Sequence, residues 1–389
     1  MKKVLIISKT NPTSSPRPNR MVHWLKDLYD VEVVGSSKLN LEGIRSYVIK
    51  PFPPVRSIRD LWTLLKRIVL RTFNMLTGNY EEVNWSRLGS ARDVAAELAQ
   101  KHYDLIVSHD LVLLPLVFMV KNDTTRVLFD AREYYPMNFN DQWLWRLKRK
   151  PVNEYLCSTY IPRCDKVITV SDGLAAEYKK NYAVQPEVIM SLPAQRDVLP
   201  SPVDPDRIGL IHHGVAGRSR RTEIMIEMMD HVDERFTLDL MLVVNDADYH
   251  KRIVSLAEKR KNVHVIPPVP MQEIVSTINH YDIGLFLVPP TNFNLEFTLP
   301  NKLFEFIQAR LAVAIGPSVE MRKIVEKYAC GIVAKDFDPL SLAQELNRLT
   351  SEELTRFKAN AHQAAQELNA ETNAKRVRQI VHDLVETKQ

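Results

Sequence analysis

At 389 residues the chain is too long for one ordinary core, so two domains are expected; its 45% hydrophobic and 25% charged content suits a folded globular protein, and a formal net charge of +5 names no partner. The longest apolar run, residues 111–120, is half of the roughly 20 residues a spanning helix needs, which makes it a buried element. Three cysteines, Cys157, Cys164 and Cys330, supply neither a disulfide framework nor metal-ligand spacing and read as buried thiols.

Two lysines and Val4-Leu5-Ile6-Ile7 open the chain, and polar residues follow at once. That stretch has neither the length nor the cleavage site of a signal peptide, reads as the first strand of a buried parallel sheet, and leads us to expect a cytoplasmic protein. Further strands are expected at 31–34, 105–108, 126–130 and 166–170, with 188–192 closing the sheet and helices such as 18–29 and 172–181 between them. Between the second and third of these strands, residues 56–76 carry a strong helical period. Ile58, Leu61, Trp62, Leu65, Ile68, Val69, Phe73 and Leu76 fall on one side; Arg56, Arg59, Lys66, Arg67 and Arg71 fall on the other. A second basic-aromatic cluster spans 143–150, with Trp143, Trp145, Arg146, Lys148, Arg149 and Lys150. Both suit docking on anionic lipid, at the inner face of the cell membrane; the bland alternative is two elements packed on the first domain with solvated basic faces. Nucleic acid is not expected, because no recognition motif accompanies these patches.

Residues 193–207, where Pro193, Pro200, Pro202 and Pro205 cluster, read as a linker. The strand pattern then restarts at 208–213, 238–244, 263–266, 283–287, 312–315 and 331–333, and 340–388 is helical. The expected fold class is therefore α/β, with two doubly wound parallel-sheet domains of similar size, 1–200 and 205–370, facing a cleft; a C-terminal helix near 372–389 packs back on the first. Neither a GxGxxG after the first strand nor a GxxxxGK[ST] occurs, which disfavours dinucleotide oxidoreductases and P-loop enzymes.

The most informative segment is Thr298-Leu299-Pro300-Asn301-Lys302, running into Leu303-Phe304-Glu305-Phe306-Ile307. Pro300 and Asn301 open a helix whose dipole and backbone N–H groups favour an anion. Lys302 stands in the first turn against that dipole, an arrangement a bound diphosphate would stabilise; Glu305, a turn on, can accept hydrogen bonds from a ribose. An ordinary amphipathic helix burying Leu303, Phe304 and Ile307 is the competing reading.

The same segment resembles the donor-binding signature of the retaining GT-B glycosyltransferases, and four other stretches resemble that family in the same order. They are Val127 to Glu133, Cys164 to Ser171, His213-Gly214 to Arg221, and Tyr281-Asp282-Ile283-Gly284-Leu285. The resemblance implies two Rossmann-like domains. The first would hold a saccharide or lipid-linked acceptor. The second would hold a UDP- or GDP-linked sugar, transferred with retention and without metal or other cofactor, in cell-surface polysaccharide or lipopolysaccharide synthesis. Carried over to this chain, Glu305 matches the ribose-binding second glutamate of the family's E-x7-E pair, whereas the first falls on Phe297, beside Glu296. Arg221 matches the basic residue that meets the diphosphate, with Arg218 and Arg220 as close rivals. Gly214, Pro268, Thr298, Leu299, Pro300, Asn301 and Lys302 complete the donor set. Arg132 stands where the family has histidine; unable to act as a base, it would bind an anionic group or pair with Glu133 or Asp130. His109 would contact donor or acceptor, and Thr13, Ser14 and Arg17 of the first loop the acceptor. A sugar-nucleotide 2-epimerase and a degenerate assembly protein of the same fold are the alternatives.

Overall fold

The computed structural model describes residues 1–386, so the last three residues of the expected 372–389 helix lie outside the described residues. The chain divides into two compact units: Met1–Ile189 with the segment from Ala374 onward, and Met190–Asn373.

The first unit carries a seven-stranded sheet, built from β1 (Lys3–Ile7), β2 (Asp30–Gly35), β3 (Arg45–Val48), β4 (Leu105–Ser108), β5 (Arg126–Ala131), β6 (Lys166–Thr169) and β7 (Glu187–Val188) in the order β3-β2-β1-β4-β5-β6-β7. All its pairings are parallel. Val4, Leu5, Ile6 and Ile7 are all fully buried, as continuous apolar strands in a sheet covered on both faces must be. β3 is an edge strand outside the expected set; only Tyr47 of its Arg-Ser-Tyr-Val sequence is buried. The closing strand expected at 188–192 pairs only through Glu187–Val188. The helix Ala370–Glu386 brings Val377, Ile380 and Val381 into the core formed by Val4, Ile6, Leu105 and Leu128. Burying each such side chain contributes about 1.5–3 kcal/mol.

The second unit holds β8 (Ile208–Ala216), β9 (Phe236–Val244), β10 (Val263–Ile266), β11 (Ile283–Phe286), β12 (Ala312–Ile315) and β13 (Gly331–Val333), ordered β10-β9-β8-β11-β12-β13 and parallel throughout. Strand order reverses between β1 and β4 in one sheet and between β8 and β11 in the other, the points where such sheets present ligand sites at their carboxyl ends. The helix Asn301–Gln308 lies flat on β11: a Cβ at Gly284 would stand 2.2 Å from the Phe306 ring.

Candidate functional site

In the second unit, the end of β8 and the start of the Asn301–Gln308 helix meet. Pro300, at the N-cap, makes no side-chain capping hydrogen bond. Lys302 does not extend outward from the first turn. It is buried, and its Nζ lies 3.3 Å from His212 Nε2 and 5.2 Å from the centroid of Phe286. His212 Nδ1 is 2.8 Å from the Leu285 carbonyl oxygen, which can only accept; the proton is therefore on Nδ1, and Nε2 accepts from Lys302. The amine is thus partnered by a neutral imidazole rather than a carboxylate. Burial and the neighbouring Arg220 charge push its pKa well below the ordinary lysine value, outweighing Glu305, which favours the ammonium. Gly214 makes room for it. At φ +117° the backbone disfavours any side chain, and a Cβ there would sit 3.1 Å from Lys302 Nζ.

His213 is buried beside Glu305, with Nε2 3.4 Å from Oε2 but not hydrogen-bonded, and its ring meets Phe306 edge-on. Burial and Lys302 push its pKa down to about 3, and push His212 well below the usual imidazole value. Unfolded imidazoles titrate near ~6.5. Between those values the unfolded chain holds protons that the folded chain lacks, so this contribution is complete above ~6.5 and is lost as pH falls, by about 1.4 kcal/mol per pH unit for each histidine. Melting temperature is expected to drop steadily from pH 7 to pH 5; a flat profile would contradict two neutral buried histidines.

The three loop arginines have different surroundings. Arg218 pairs with Asp246 at 2.8 Å. Arg221 is exposed, in a left-handed conformation at φ +47°. Arg220 is the one whose charge reaches Lys302 and His212, and its burial lowers its own pKa. Of the remaining donor residues, Asn301 and Thr298 are half-buried and Leu299 lies in the core, where its side chain packs rather than binds. Pro268 is exposed in the loop after β10. Phe297 stacks on Phe293 at 4.9 Å, and Glu296 is exposed. His212 was absent from the sequence reading; a doubled histidine near a strand's carboxyl end was the available signal.

The first unit gathers a different group at the ends of β1, β4 and β5. Asp130 is fully buried; Arg17 Nε donates to its Oδ2 at 2.6 Å, and His109 Nδ1 lies 2.7 Å from the same oxygen. Burial alone would raise its pKa, but Arg17 and His109 hold it well below the carboxylate range. Arg17 also donates to the Ile189 carbonyl at 2.7 Å. Arg17 is buried, its Nη2 is left without a hydrogen-bond partner among the described residues, and Thr13 and Ser14 of the same loop are exposed. Arg132 pairs with Asp110 at 2.9 Å rather than with Glu133 or Asp130. Asp110 also accepts from the Lys9 backbone, and burial raises the Glu133 pKa against Arg132's pull. His109 Nε2, Asp130 Oδ1 and Arg132 Nε are buried without a hydrogen-bond partner among the described residues. That leaves polar capacity of both signs at the carboxyl end of the sheet. No group of three or more His, Cys, Asp or Glu that could hold a metal ion occurs among the described residues.

The helix Ile58–Leu76 leaves its apolar side to solvent. Ile58 is 77% exposed, Trp62 62%, Val69 66%, Phe73 61% and Leu76 82%, whereas Arg67, Arg71 and Asn74 on the opposite side are half-buried. No residue of this helix is buried, so its apolar side is not the packed side that a helix seated on the first domain requires; Arg56, Arg59 and Lys66 are exposed as well. Trp143 and Leu147, on the helix Trp143–Lys148, are likewise exposed. No helix among the described residues is long and apolar enough to cross a membrane.

The two sheets with their flanking helices are the GT-B fold of glycosyltransferases. Sucrose-phosphate synthase from Thermosynechococcus elongatus matches with a TM-score of 0.71 at 13% identity, over 99% of each chain. Anabaena HepE in complex with UDP-glucose gives 0.69 at 13% identity, over 98% of this chain and 100% of its own, and a Rickettsia africae glycosyltransferase gives 0.70 at 10% identity, over 100% and 99%. At such identities what is shared is the fold. No family model matches the sequence, and no curated protein matches it.

Proposed function

We propose that the protein is a retaining glycosyltransferase, moving a sugar from a nucleoside-diphosphate donor to a saccharide or lipid-linked acceptor at a membrane surface, in cell-surface polysaccharide synthesis. One observation carries the reading: a buried lysine amine in the first turn of a helix, partnered by a neutral histidine and within reach of the Arg220 charge. A diphosphate supplies the negative charge this arrangement lacks. The HepE complexes with UDP and UDP-glucose support a UDP-linked donor.

In this reading Lys302 and Arg220, with Arg221 and Arg218 at the loop surface, neutralise the departing diphosphate in the role a metal would otherwise fill. Glu305 accepts from the ribose, and Gly214, Thr298, Asn301 and the loop at Pro268 surround the nucleotide. The acceptor falls to the first unit, with Thr13, Ser14, His109 and the orphaned edge of Arg132 as contacts. No side chain is assigned as a nucleophile; attack occurs on the face the diphosphate leaves, with the donor's own phosphate taking the acceptor proton. The exposed apolar side of Ile58–Leu76, flanked by Arg59 and Lys66, rests on the cytoplasmic leaflet.

A thermal-shift panel of nucleotide sugars tests this directly. A donor at 100 times its Kd is expected to stabilise the fold by about 2.7 kcal/mol, with uridine-linked sugars leading. No shift with any of them overturns the proposal, and conversion of a donor alone to its epimer reassigns the chemistry.

A further inference from the structure

Beneath the exposed helix Ile58–Leu76 lies a pocket of 210 Å³, walled by Arg67 and Arg71 from that helix and by Arg92, Glu82 and Trp85 from its neighbours. Arg92 pairs with Glu82 and stacks on Trp85. Arg67 lies over the Phe52 ring at 3.9 Å, and its Nε is buried without a hydrogen-bond partner among the described residues. Neither Arg67 nor Arg71 has an ion pair among the described residues. Behind Arg71 stand Arg87 and Arg149. Burial, then Arg149 and Arg71, bring the Arg87 pKa down to about 10; burial and Arg71 lower that of Arg149. Arg87 Nη1 is buried and also unpartnered. Three guanidiniums, those of Arg67, Arg71 and Arg92, therefore line the pocket with one lining carboxylate, Glu82, and the Arg71 charge also reaches Arg87 and Arg149. Such like-charge crowding costs stability unless an anion occupies it, and planar forks match phosphate oxygens in pairs.

We propose that this pocket seats the phosphate of an anionic phospholipid of the bilayer. Leu70 lines the same pocket, and Val69 and Phe73 stand exposed on the same helix. A phospholipid presents a phosphate and acyl chains together, matching the basic pocket and the exposed Leu70 at its rim; a soluble anion matches only the basic wall. The inference rests on the membrane-docking reading and deepens it: the helix is registered on the leaflet by bound headgroups as well as by its apolar face.

The test is flotation of the intact protein with vesicles of phosphatidylcholine, alone or with about one third phosphatidylglycerol, enough to give a negative leaflet. Arg67→Lys combined with Arg71→Lys keeps the charge and removes the forks. About tenfold weaker binding to the anionic vesicles is expected, while Arg252→Lys, exposed on the helix Ala247–Ala257 of the second unit, binds like wild type. Because lysine keeps the charge and most of the aliphatic stem at these half-buried positions, the double variant is expected to melt close to wild type, which separates lost binding from lost folding. Unchanged binding by the double variant overturns the pocket and leaves membrane docking standing. Failure of the wild type to bind any vesicle, or its self-association through this helix instead, overturns both. In a companion thermal shift at matched ionic strength, short-chain phosphatidylglycerol is expected to stabilise the wild type; an equal effect of inorganic phosphate overturns the lipid as occupant.

Discussion

Replacing Lys302 with methionine is expected to lower kcat/KM for the nucleotide sugar by about 10²–10³, the loss typical of one preorganised group facing developing negative charge. The same substitution is expected to raise the melting temperature of the free protein. Both follow from one geometry. In the folded chain the amine is buried, its partner is the neutral Nε2 of His212, and Arg220 repels it. At neutral pH the unfolded lysine is fully protonated, while the folded one is held well below its ordinary pKa, so folding carries an uncompensated cost. Methionine is similar in length, fills the space beside Phe286 and removes that cost. A lysine whose role was packing or solubility would show the opposite pattern: unchanged turnover, with stability unchanged or reduced. Arg220→Gln is expected to act in the same direction with a smaller effect, because Arg220 is less completely buried.

Trp62→Ser combined with Phe73→Ser is expected to weaken vesicle binding by about 10²–10⁴, from roughly 1.5–3 kcal/mol of lost transfer energy for each aromatic side chain. Folding stability should hardly move, because Trp62 and Phe73 are 62% and 61% exposed and support no core. The contrast between these two readouts is what separates a docking face from a structural one. Donor binding by the same variant is expected to equal wild type, since the residues lie on a different unit from Lys302. A fall in melting temperature with unchanged flotation would reject the docking face.

Much of the fold was legible because parallel strands buried on both faces write themselves as unbroken apolar runs, as in Val4 to Ile7 and in Val127-Leu128-Phe129. β3 escaped because an edge strand buries little, and Arg45 and Ser46 carry no apolar signal. The helix Ile58–Leu76 was legible as a helix, but its period fixes only that it has an apolar side. Whether that side meets the core or the solvent is decided by what else competes for the core, which no local pattern records. The same limit applies to charged groups. The helix start at Asn301 could be read from its residue types. That Lys302 turns inward to His212, that Arg17 is spent on Asp130, and that Arg132 finds Asp110 all depend on contacts between segments far apart in sequence. Among the three loop arginines, nothing in the local sequence distinguishes Arg220, whose charge reaches the amine, from Arg218, which pairs with Asp246.

The central claim is that a buried amine at a helix start awaits a diphosphate. Calorimetric titration of UDP against uridine, on the wild type and on Lys302→Met, puts it to the test. The account predicts that UDP binds the wild type at least about 10²-fold more tightly than uridine does, equivalent to about 2.7 kcal/mol, and that most of this advantage disappears in the variant. Equal affinities for the two ligands on the wild type, or an advantage that survives in the variant, would contradict it.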